Sequence, residues 1–484
     1  MIPRMPPPSA HLVRHRLTPL VLALFLTACA NLPVPQDTAA GNPPPEQWSN
    51  GRAVASTSAS DLSTWWQRFN DPTMTALIAR AFEANPSVRG AQAVLRQSRA
   101  QADVQQAGLG PALSASGSAQ RSRTGNDDAN NRFQLGFDAS WEPDIFGGNR
   151  SAANASEADA EAAAASLANV RVSLAAEVAR GYINLRSLQT RLAIAQSNLD
   201  KQQEILQITQ WRSQAGLTSS LDVEQAISAA EQTRAQLPSL QASLTQAMNA
   251  LAILTGQAPG SLNSGLATPG AVPASPSELA LAFPADTLRQ RPDVQAAERR
   301  ISAALSRVAV ADAARYPNLR LSGSLGLSAL TLGTLTNSAS LLQSLLASLS
   351  APLFDGGATA AQVRAQEAVL DQARATYETT VLSALGEVED ALVAIEGDSE
   401  KLTRLQAAAT AASNAELLAR QRYQSGLTDF STVLTTQRTL LSLQDSVVSA
   451  QSSLTTDHVQ LYKALGGGWQ PEVAAPTPDP TAQR

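Results

Sequence analysis

The sequence predicts an α+β membrane protein that is internally duplicated, with four transmembrane β-strands and very long coiled-coil α-helices. Three observations carry this prediction. The stretch 111–256 recurs as 317–466. Each copy contains two segments of about ten residues in which apolar and polar side chains alternate. Each copy then continues into a long stretch with an apolar repeat of seven residues. Soluble domains rarely combine the last two features.

The duplication covers most of the chain. The first parts of the two copies align without a gap, so that Pro111 matches Pro317. Later matches require a shift of four residues. Gly216 then matches Gly426, Gly256 matches Gly466, and Gly147-Gly148 roughly matches Gly356-Gly357. A repeat of this length indicates a duplicated half-protein and not a unit of a short solenoid array.

The candidate strands lie at about 112–121, 132–142, 318–329 and 339–352. A period of two places one set of side chains on each face of a sheet. Alternation alone is also typical of a half-buried sheet in a soluble sandwich. The length of each segment favours strands that cross a bilayer at a tilt.

The fourth segment is the least regular, because Leu342 and Leu346 fall on its polar face and Gln343 on its apolar face. Aromatic residues stand near the segment ends, as in the aromatic bands of membrane barrels: Phe133, Trp141 and Phe354.

Long helices are predicted at 149–213 and 357–424, with return helices at 219–255 and 429–465. Leucine recurs every seven residues from Leu185 to Leu206, which is the seam of a coiled coil. At ~1.5 Å per residue the first long helix would span roughly 100 Å. Pro238 lies in the first return helix and predicts a kink there.

The net charge of −5 and the absence of a basic patch argue against nucleic acid as a partner. After the N-terminal segment no run of about twenty apolar residues occurs, so no transmembrane helix is expected.

The N-terminus has the pattern of a signal peptide, since three arginines precede a short apolar run. That run ends in Leu26-Thr27-Ala28-Cys29, which resembles a bacterial lipobox, and Cys29 is the sole cysteine. We expect acyl chains on Cys29 to anchor the mature chain to a membrane. The next residue is Ala30 and not the aspartate of inner-membrane lipoproteins, so by this resemblance the destination is the outer membrane.

The predicted organisation has six parts: signal peptide 1–28, lipidated N-terminus and flexible linker 29–60, first repeat 61–256, Pro-rich linker 257–290, second repeat 291–466, and a Pro-rich tail 467–484 that is expected to be disordered after Gly466-Gly467-Gly468. The folded part opens near Asp71-Pro72, which predicts a helix N-cap followed by proline at the first helical position.

Few residues could support catalysis. His458 is the only histidine after the signal peptide, and a lone helical histidine is more often packed or solvated than a base. One acidic cluster is interpreted as the solvated face of a helix; it consists of Glu387, Glu389 and Asp390. No nucleotide-binding, nucleophile-elbow or metal-site spacing occurs. We expect neither enzymatic activity nor a metal, and no cofactor apart from the lipid on Cys29.

Four strands are too few for a transmembrane barrel, because about eight is the smallest size known. An open sheet edge in lipid would leave backbone groups unpaired. The chain is therefore expected to oligomerise. Two copies would form a narrow barrel filled by side chains, and three would form an open barrel of twelve strands.

The lipobox, the opening Trp65-Trp66…Phe69…Asp71-Pro72, the duplicated halves and the two Gly-Leu-Thr turns together resemble the outer membrane factor family. These are the TolC-like and OprM-like export ducts, and the lipoproteins of the NodT branch are the most similar. The resemblance implies a homotrimer with a twelve-stranded outer membrane barrel and a helical barrel that crosses the periplasm. It also implies a periplasmic adaptor and an inner-membrane pump as partners, the pump most often of the proton-driven RND type.

The same resemblance implies that the turns dock the adaptor. The matching residues lie at and beside the turns: Arg212, Gln214, Gly216, Leu217, Thr218, Arg422, Tyr423, Gln424, Gly426, Leu427 and Thr428. Gly216 and Gly426 are equally typical of helix C-caps, and both interpretations can hold. Several members carry a gate aspartate nine residues after the second glycine, where this chain has Thr435. Asp222 and Asp429 are the nearest acidic residues, which leaves an acidic gate doubtful.

Two other function classes stay open at this point. A passive porin would close its barrel within one chain and lacks long coiled coils. A structural envelope lipoprotein would account for Cys29 and the heptads but not for the amphipathic strands. The transported substrate is not visible in the sequence.

Overall fold

A computed structural model describes Trp48 and residues 62–126, 128–276 and 289–469. The predicted signal peptide, Cys29, nearly all of the 29–60 linker, part of the 257–290 linker and the end of the tail lie outside these residues.

The elements follow the predicted order. In sequence they are α1 (Pro72–Ala84), α2 (Pro86–Ala107), β1 (Ala112–Ser122), β2 (Asn130–Trp141), α3 (Gly148–Gln214), α4 (Ser220–Leu254), α5 (Pro292–Ala313), β3 (Asn318–Ala329), β4 (Leu341–Ser350), α6 (Ala358–Gln424) and α7 (Phe430–Ala464). Short 3-10 helices occupy Trp65–Phe69, Leu332–Thr334 and Ser338–Ser340.

The duplication is visible in the lengths of the elements. Helices α2 and α5 have 22 residues each, α3 and α6 have 67, and α4 and α7 have 35. The β1–β2 loop covers only 123–129, whereas the β3–β4 loop covers 330–340. The greater length of the second loop accounts for the shift between the copies, which therefore lies in a strand loop.

The glycine pairs need a correction of one residue. Helix α3 begins at Gly148 and α6 at Ala358, so Gly147 corresponds to Gly357 and not to Gly356. Both carry a left-handed backbone, with φ of 78° and 87°.

The structure divides into two compact units. The strand unit comprises Asp103–Ala155 with Ala304–Leu370, and the helical unit holds the other described residues. The strand unit contains an antiparallel sheet in the order β1-β2-β3-β4. In a single chain β1 and β4 are its two edges, each with one side unpaired.

The register brings the apolar sides of all four strands onto one face. Ala115 is opposite Phe137, Phe137 is opposite Leu325, and Leu325 is opposite Gln343. Directly opposite residues share a face of the sheet. Gln343 is thus a polar residue on the apolar face, as the alternation predicted.

The fourth strand is shorter than the predicted 339–352. It covers Leu341–Ser350, because Ser338–Ser340 forms a 3-10 turn before it. After it, Pro352 lacks the amide hydrogen that a longer ladder would need.

The coiled-coil seam packs inside the helical unit. Leu185 is 0% exposed and Leu199 is 4% exposed, and in the second half Val388 is 0% exposed. Helix α4 continues through Pro238 without a break. Although the helices are long, none of those in the described part of the chain is apolar enough over a sufficient length to cross a membrane.

The opening segment forms the aromatic centre of the helical unit. Trp65 is fully buried, and its ring stacks on Tyr462 at 5.5 Å between centroids. The Asp71 carboxylate accepts from the Met74 amide at 2.9 Å, which confirms the predicted N-cap. It also accepts from the Tyr182 hydroxyl at 2.8 Å and so ties the start of α1 to α3.

Both return helices end against the residue that precedes the 22-residue helix of their own half. In the first half the Asn85 side-chain amide donates to the Leu254 carbonyl at 2.9 Å. In the second half Arg291 Nη1 donates to the Ala464 carbonyl at 2.8 Å. Arg291 also pairs with Asp293 and Glu387. Glu387 therefore neutralises a buried arginine, which corrects its interpretation as part of a solvated face.

The predicted tail does not begin at residue 467. Gly467 and Gly468 are buried, and the Gly468 amide donates to the Leu62 carbonyl at 3.0 Å. Trp469 Nε1 donates to the Gln290 carbonyl at 3.1 Å. A Cβ on Gly467 would lie 2.9 Å from the Leu62 oxygen, so glycine is required for this contact. The predicted boundary between the second repeat and the tail is therefore too early, and residues beyond 469 lie outside the described part.

Candidate functional site

The two Gly-Leu-Thr sequences form matching turns between a long helix and its return helix. In the first, the Leu217 amide donates to the Arg212 carbonyl at 2.8 Å, and the Gly216 amide donates to the Ser213 carbonyl at 3.0 Å. The amides of Leu427 and Gly426 make the same two bonds in the second turn. Gly216 and Gly426 have φ of 69° and 73°, as a Schellman C-cap requires. The C-cap interpretation of both glycines is confirmed.

The acidic residues nearest the turns serve as N-terminal caps of the return helices. Asp222 and Ser219 form a reciprocal capping box at the start of α4. Asp429 is the N-cap of α7 and accepts from the Thr432 amide at 2.9 Å. Both aspartates therefore have a structural role whether or not they also gate a passage.

The electrostatics of these caps favour the ionised carboxylates. A hydrogen bond from the Thr218 hydroxyl lowers the pKa of Asp222, although the charge of Asp429 acts in the opposite direction. A hydrogen bond from Thr432 lowers the pKa of Asp429. Both carboxylates are negatively charged at neutral pH, so the two turns place two like charges close enough to repel each other.

Thr435, the third candidate gate residue, is exposed on α7. Its hydroxyl donates to the Ser431 carbonyl of the same helix at 2.8 Å. The gate assignment of these three positions stays a prediction.

A cluster around Tyr423 joins the two helical hairpins next to the turns. Arg212 Nη1 donates to the Tyr423 carbonyl at 2.6 Å, and the guanidinium carbon lies 4.7 Å from the centroid of the tyrosine ring. The Tyr423 hydroxyl lies 3.3 Å from the Thr209 hydroxyl. Tyr423 is 4% exposed and packs on Phe430. This group, called the tip latch below, fastens α3 to α6.

The other predicted docking residues divide between surface and interior. Gln214, Arg422 and Gln424 are exposed. Leu217 and Leu427 are 68% and 76% exposed, although leucine is favoured inside proteins. The exposed leucines of both turns are apolar surface that a partner could cover, whereas Tyr423 is buried and contacts Arg212 in the tip latch.

The two faces of the sheet differ in chemistry. On the polar face the Ser116 hydroxyl donates to Asp138 at 2.8 Å, and the Ser324 and Ser344 hydroxyls lie 2.7 Å apart. On the apolar face Leu135 and Phe137 are more than half exposed in the single chain. A continuous exposed apolar surface of this kind indicates contact with lipid or protein.

One ion pair of the helical unit was not predictable from local sequence. Arg191 on α3 pairs with Asp445 on α7 at 2.5 Å, and the two residues are 254 positions apart.

His458 is buried, and burial lowers its pKa to about 4, so it is a packed residue. Burial, together with Asp398, raises the pKa of the neighbouring Asp457 to about 6, and Lys401 opposes this shift.

Residues 77–257 and 283–467 match the family described as outer membrane efflux protein. The pyoverdine export outer membrane protein OpmQ of Pseudomonas aeruginosa is 33% identical, with 92% of this chain and 95% of that protein covered. Nodulation protein T of Rhizobium leguminosarum bv. viciae is 31% identical, with 95% of each covered.

Among solved structures, the outer-membrane channel OprN superposes with a TM-score of 0.80 at 35% identity. The superposition covers 87% of this chain and 98% of OprN. The predicted resemblance, including the NodT branch, is thereby confirmed at the level of family and fold.

Proposed function

Because the chain belongs to the outer membrane efflux protein family and is an outer membrane efflux channel that extends into the periplasm, we propose that it works as a homotrimer. Three copies would join their four-stranded sheets into one barrel of twelve strands. Their long helices would form a second barrel in the periplasm. The trimer is then a duct from the periplasm to the exterior. Family membership sets aside the passive porin and the envelope tether.

The observation that carries the trimer is the open sheet. Both β1 and β4 have an unpaired edge, and the sheet has one apolar face. Each unpaired backbone group in hydrocarbon costs several kcal/mol, so the edges must be joined. The polar face suits a wet interior, which favours three copies over a side-chain-filled barrel of two.

The exposed residues at the two turns suggest where a partner protein binds. We infer that Leu217 and Leu427, with the exposed polar residues beside them, dock a periplasmic adaptor, and that the tip latch keeps this end closed until docking. An inner-membrane pump, most often of the RND type, would supply the energy and select the substrate. Nothing in this chain has the sequence pattern of a nucleotide site.

We further infer that Cys29 is the acylated N-terminus of the mature chain. The support is the Leu26-Thr27-Ala28-Cys29 motif. Intact mass of protein extracted from membranes should show a diacylglycerol-modified cysteine and no residues 1–28. An unmodified Cys29 within an uncleaved chain would refute this. No other cofactor is proposed.

The decisive experiment alters the turns and leaves the sheet untouched. Valine at Gly216 and Gly426 forces a branched residue into a left-handed backbone, which is strained by at least about 1–2 kcal/mol per site. We expect the Gly216→Val, Gly426→Val variant to keep normal trimer abundance and lose export-dependent drug or metal resistance. Gly397→Val is the matched control, because Gly397 lies within α6 at an open position with no positive φ. Full resistance in the double variant would require the docking assignment to be withdrawn.

A further inference from the structure

Two leucines of β4 lie on the face of the sheet that is otherwise polar. The register places Leu342 opposite Gly326. It places Leu346 opposite Ser322, so both leucines share a face with the serines. In the single chain they are 50% and 61% exposed. Because successive side chains of a strand point to opposite faces, the contact with lipid that suits Leu345 does not account for these two leucines.

Beside Leu342 the polar face has no side chains across the width of two strands. Gly326 is its neighbour on β3, and Gly136 is the next residue across, on β2. A Cβ on Gly326 would lie 2.7 Å from the Leu135 carbonyl oxygen and 2.9 Å from the Gly136 Cα, so the backbone itself excludes a side chain there. The two glycines leave a shallow depression, with Leu342 on one side and Ser116 on the other.

Hydroxyl groups lie between the two leucines. Ser344 separates them on β4, and its hydroxyl oxygen is 2.7 Å from that of Ser324 on β3. At about 3.3 Å per residue, the leucines are about 13 Å apart along the strand. A molecule of that length can rest an apolar part on both leucines and hydrogen-bond a polar group to the serines.

We propose that Leu342 and Leu346, called the β4 leucine pair below, form a contact site for amphiphilic organic molecules on their way through the duct. This inference rests on the proposed function, in which the polar face of the sheet lines a wet passage. Lipid does not reach the β4 leucine pair inside that passage, so the exported molecule is the apolar surface that meets it. Removal of apolar area from water holds the molecule there.

The site suits passage and not retention. About half of each leucine is available, and the glycine depression is shallow and open to the passage. A conducting pathway needs sites that are favourable enough to enter and weak enough to leave. A brief contact of this kind favours molecules with an apolar part and still releases them to the exterior.

A cysteine placed between the two leucines reports on this contact in the full-length trimer. Ser344→Cys is treated with two methanethiosulfonate reagents of equal charge, one with a trimethylammonium and one with a tributylammonium group. The ratio of the butyl rate to the methyl rate, read by intact mass, measures apolar contact. Adding Leu342→Ser and Leu346→Ser should lower this ratio about tenfold, as expected when about two methylene groups lose an apolar contact. The unmodified protein, with Cys29 alone, sets the background.

Ser114 supplies a matched position in the same row of the same face, three strands away from Ser344. Its neighbours on that face of β1 are Ala112 and Ser116, both small. Ser114→Cys should show a low ratio that the two serine substitutions in β4 leave unchanged. Adding Ala112→Leu and Ser116→Leu rebuilds a leucine pair around this cysteine and should raise the ratio. This gain tests the site even where the β4 substitutions impair folding, and no rise would count against the site.

The outcomes separate the contact site from the duct. An unchanged ratio after both β4 substitutions, with trimers intact by native mass spectrometry, overturns the site and leaves the proposed function standing. An unchanged ratio with a lower temperature of trimer dissociation assigns the leucines to packing between copies and also overturns the site. No reaction of Ser344→Cys with either reagent in intact trimers would place this face outside a wet passage and overturn both proposals.

Discussion

Replacing Arg212 by glutamine should loosen the tip latch and raise the basal conductance of the channel. Arg212 is the side chain that crosses from α3 to α6, where its guanidinium contacts both the carbonyl and the ring of Tyr423. Glutamine keeps a polar end but loses the charge and reaches less far. The two hairpins should then separate more readily at the turns.

The magnitude follows from these two contacts. A hydrogen bond from a charged group contributes about 1.5–3 kcal/mol, and a partly exposed cation–π contact contributes about 0.5–1 kcal/mol. Arg212 Nε is buried without a hydrogen-bond partner among the described residues, which argues for the lower end. A net loss of about 2 kcal/mol per chain corresponds to about a thirtyfold shift toward the open latch.

Single-channel recording of purified trimers in planar bilayers measures this shift as the open fraction. Arg422→Gln is the matched control, because Arg422 is the repeat mate of Arg212 but is exposed at the surface. Tyr423→Phe should open the channel less than Arg212→Gln, since it keeps the ring and the carbonyl. Equal open fractions for the Arg212 and Arg422 variants would refute the latch.

Three further predictions concern the sheet and the helical unit. Leu135→Arg should destabilise the trimer by about 2–4 kcal/mol if the site is near the bilayer midplane, and Ser116→Arg should do so much less; heat-induced dissociation measures both. Arg291→Gln should lower stability by about 2–3 kcal/mol in chemical unfolding, because it leaves two partly exposed carboxylates without their buried partner, and no change would refute this role. Asp457, with a folded pKa of about 6 against an ordinary 3.8, holds more protons when folded, so its contribution to stability falls as pH rises from about 4 to 6. His458, with a folded pKa of about 4 against 6.5, holds fewer when folded, so its contribution rises from about pH 4 to 6.5. Thermal melts should therefore show stability rising with pH in Asp457→Asn relative to the unmodified protein and falling in His458→Gln, and parallel profiles would contradict both assignments.

Local patterns predicted the elements well, because strands and helices impose fixed periods on the chain. The alternation around Phe137 and Leu325 identified the faces that the register later brought together. Even the irregular position of Gln343 was visible, since a period of two leaves no freedom in the side that a residue takes.

What escaped prediction depends on contacts between distant residues. Nothing near Arg212 in sequence indicates Tyr423, which lies 211 residues away, and Arg191 gives no sign of Asp445. Composition also misled at Gly467, where glycines before a Pro-rich tail suggested that the folded part had ended. There the lack of a side chain serves close packing and not flexibility.

The internal duplication also changes how such a channel assembles. In the proposed ring of three copies, six pairs of strands are joined by six strand pairings. The β2–β3 pairing supplies three of these within single chains. Those three form as first-order steps, because β2 and β3 belong to the same molecule. Only two encounters between chains then depend on the abundance of the protein in the membrane, because the third pairing closes the ring within one complex. A split gene encoding the halves separately would lose this kinetic advantage while keeping every contact.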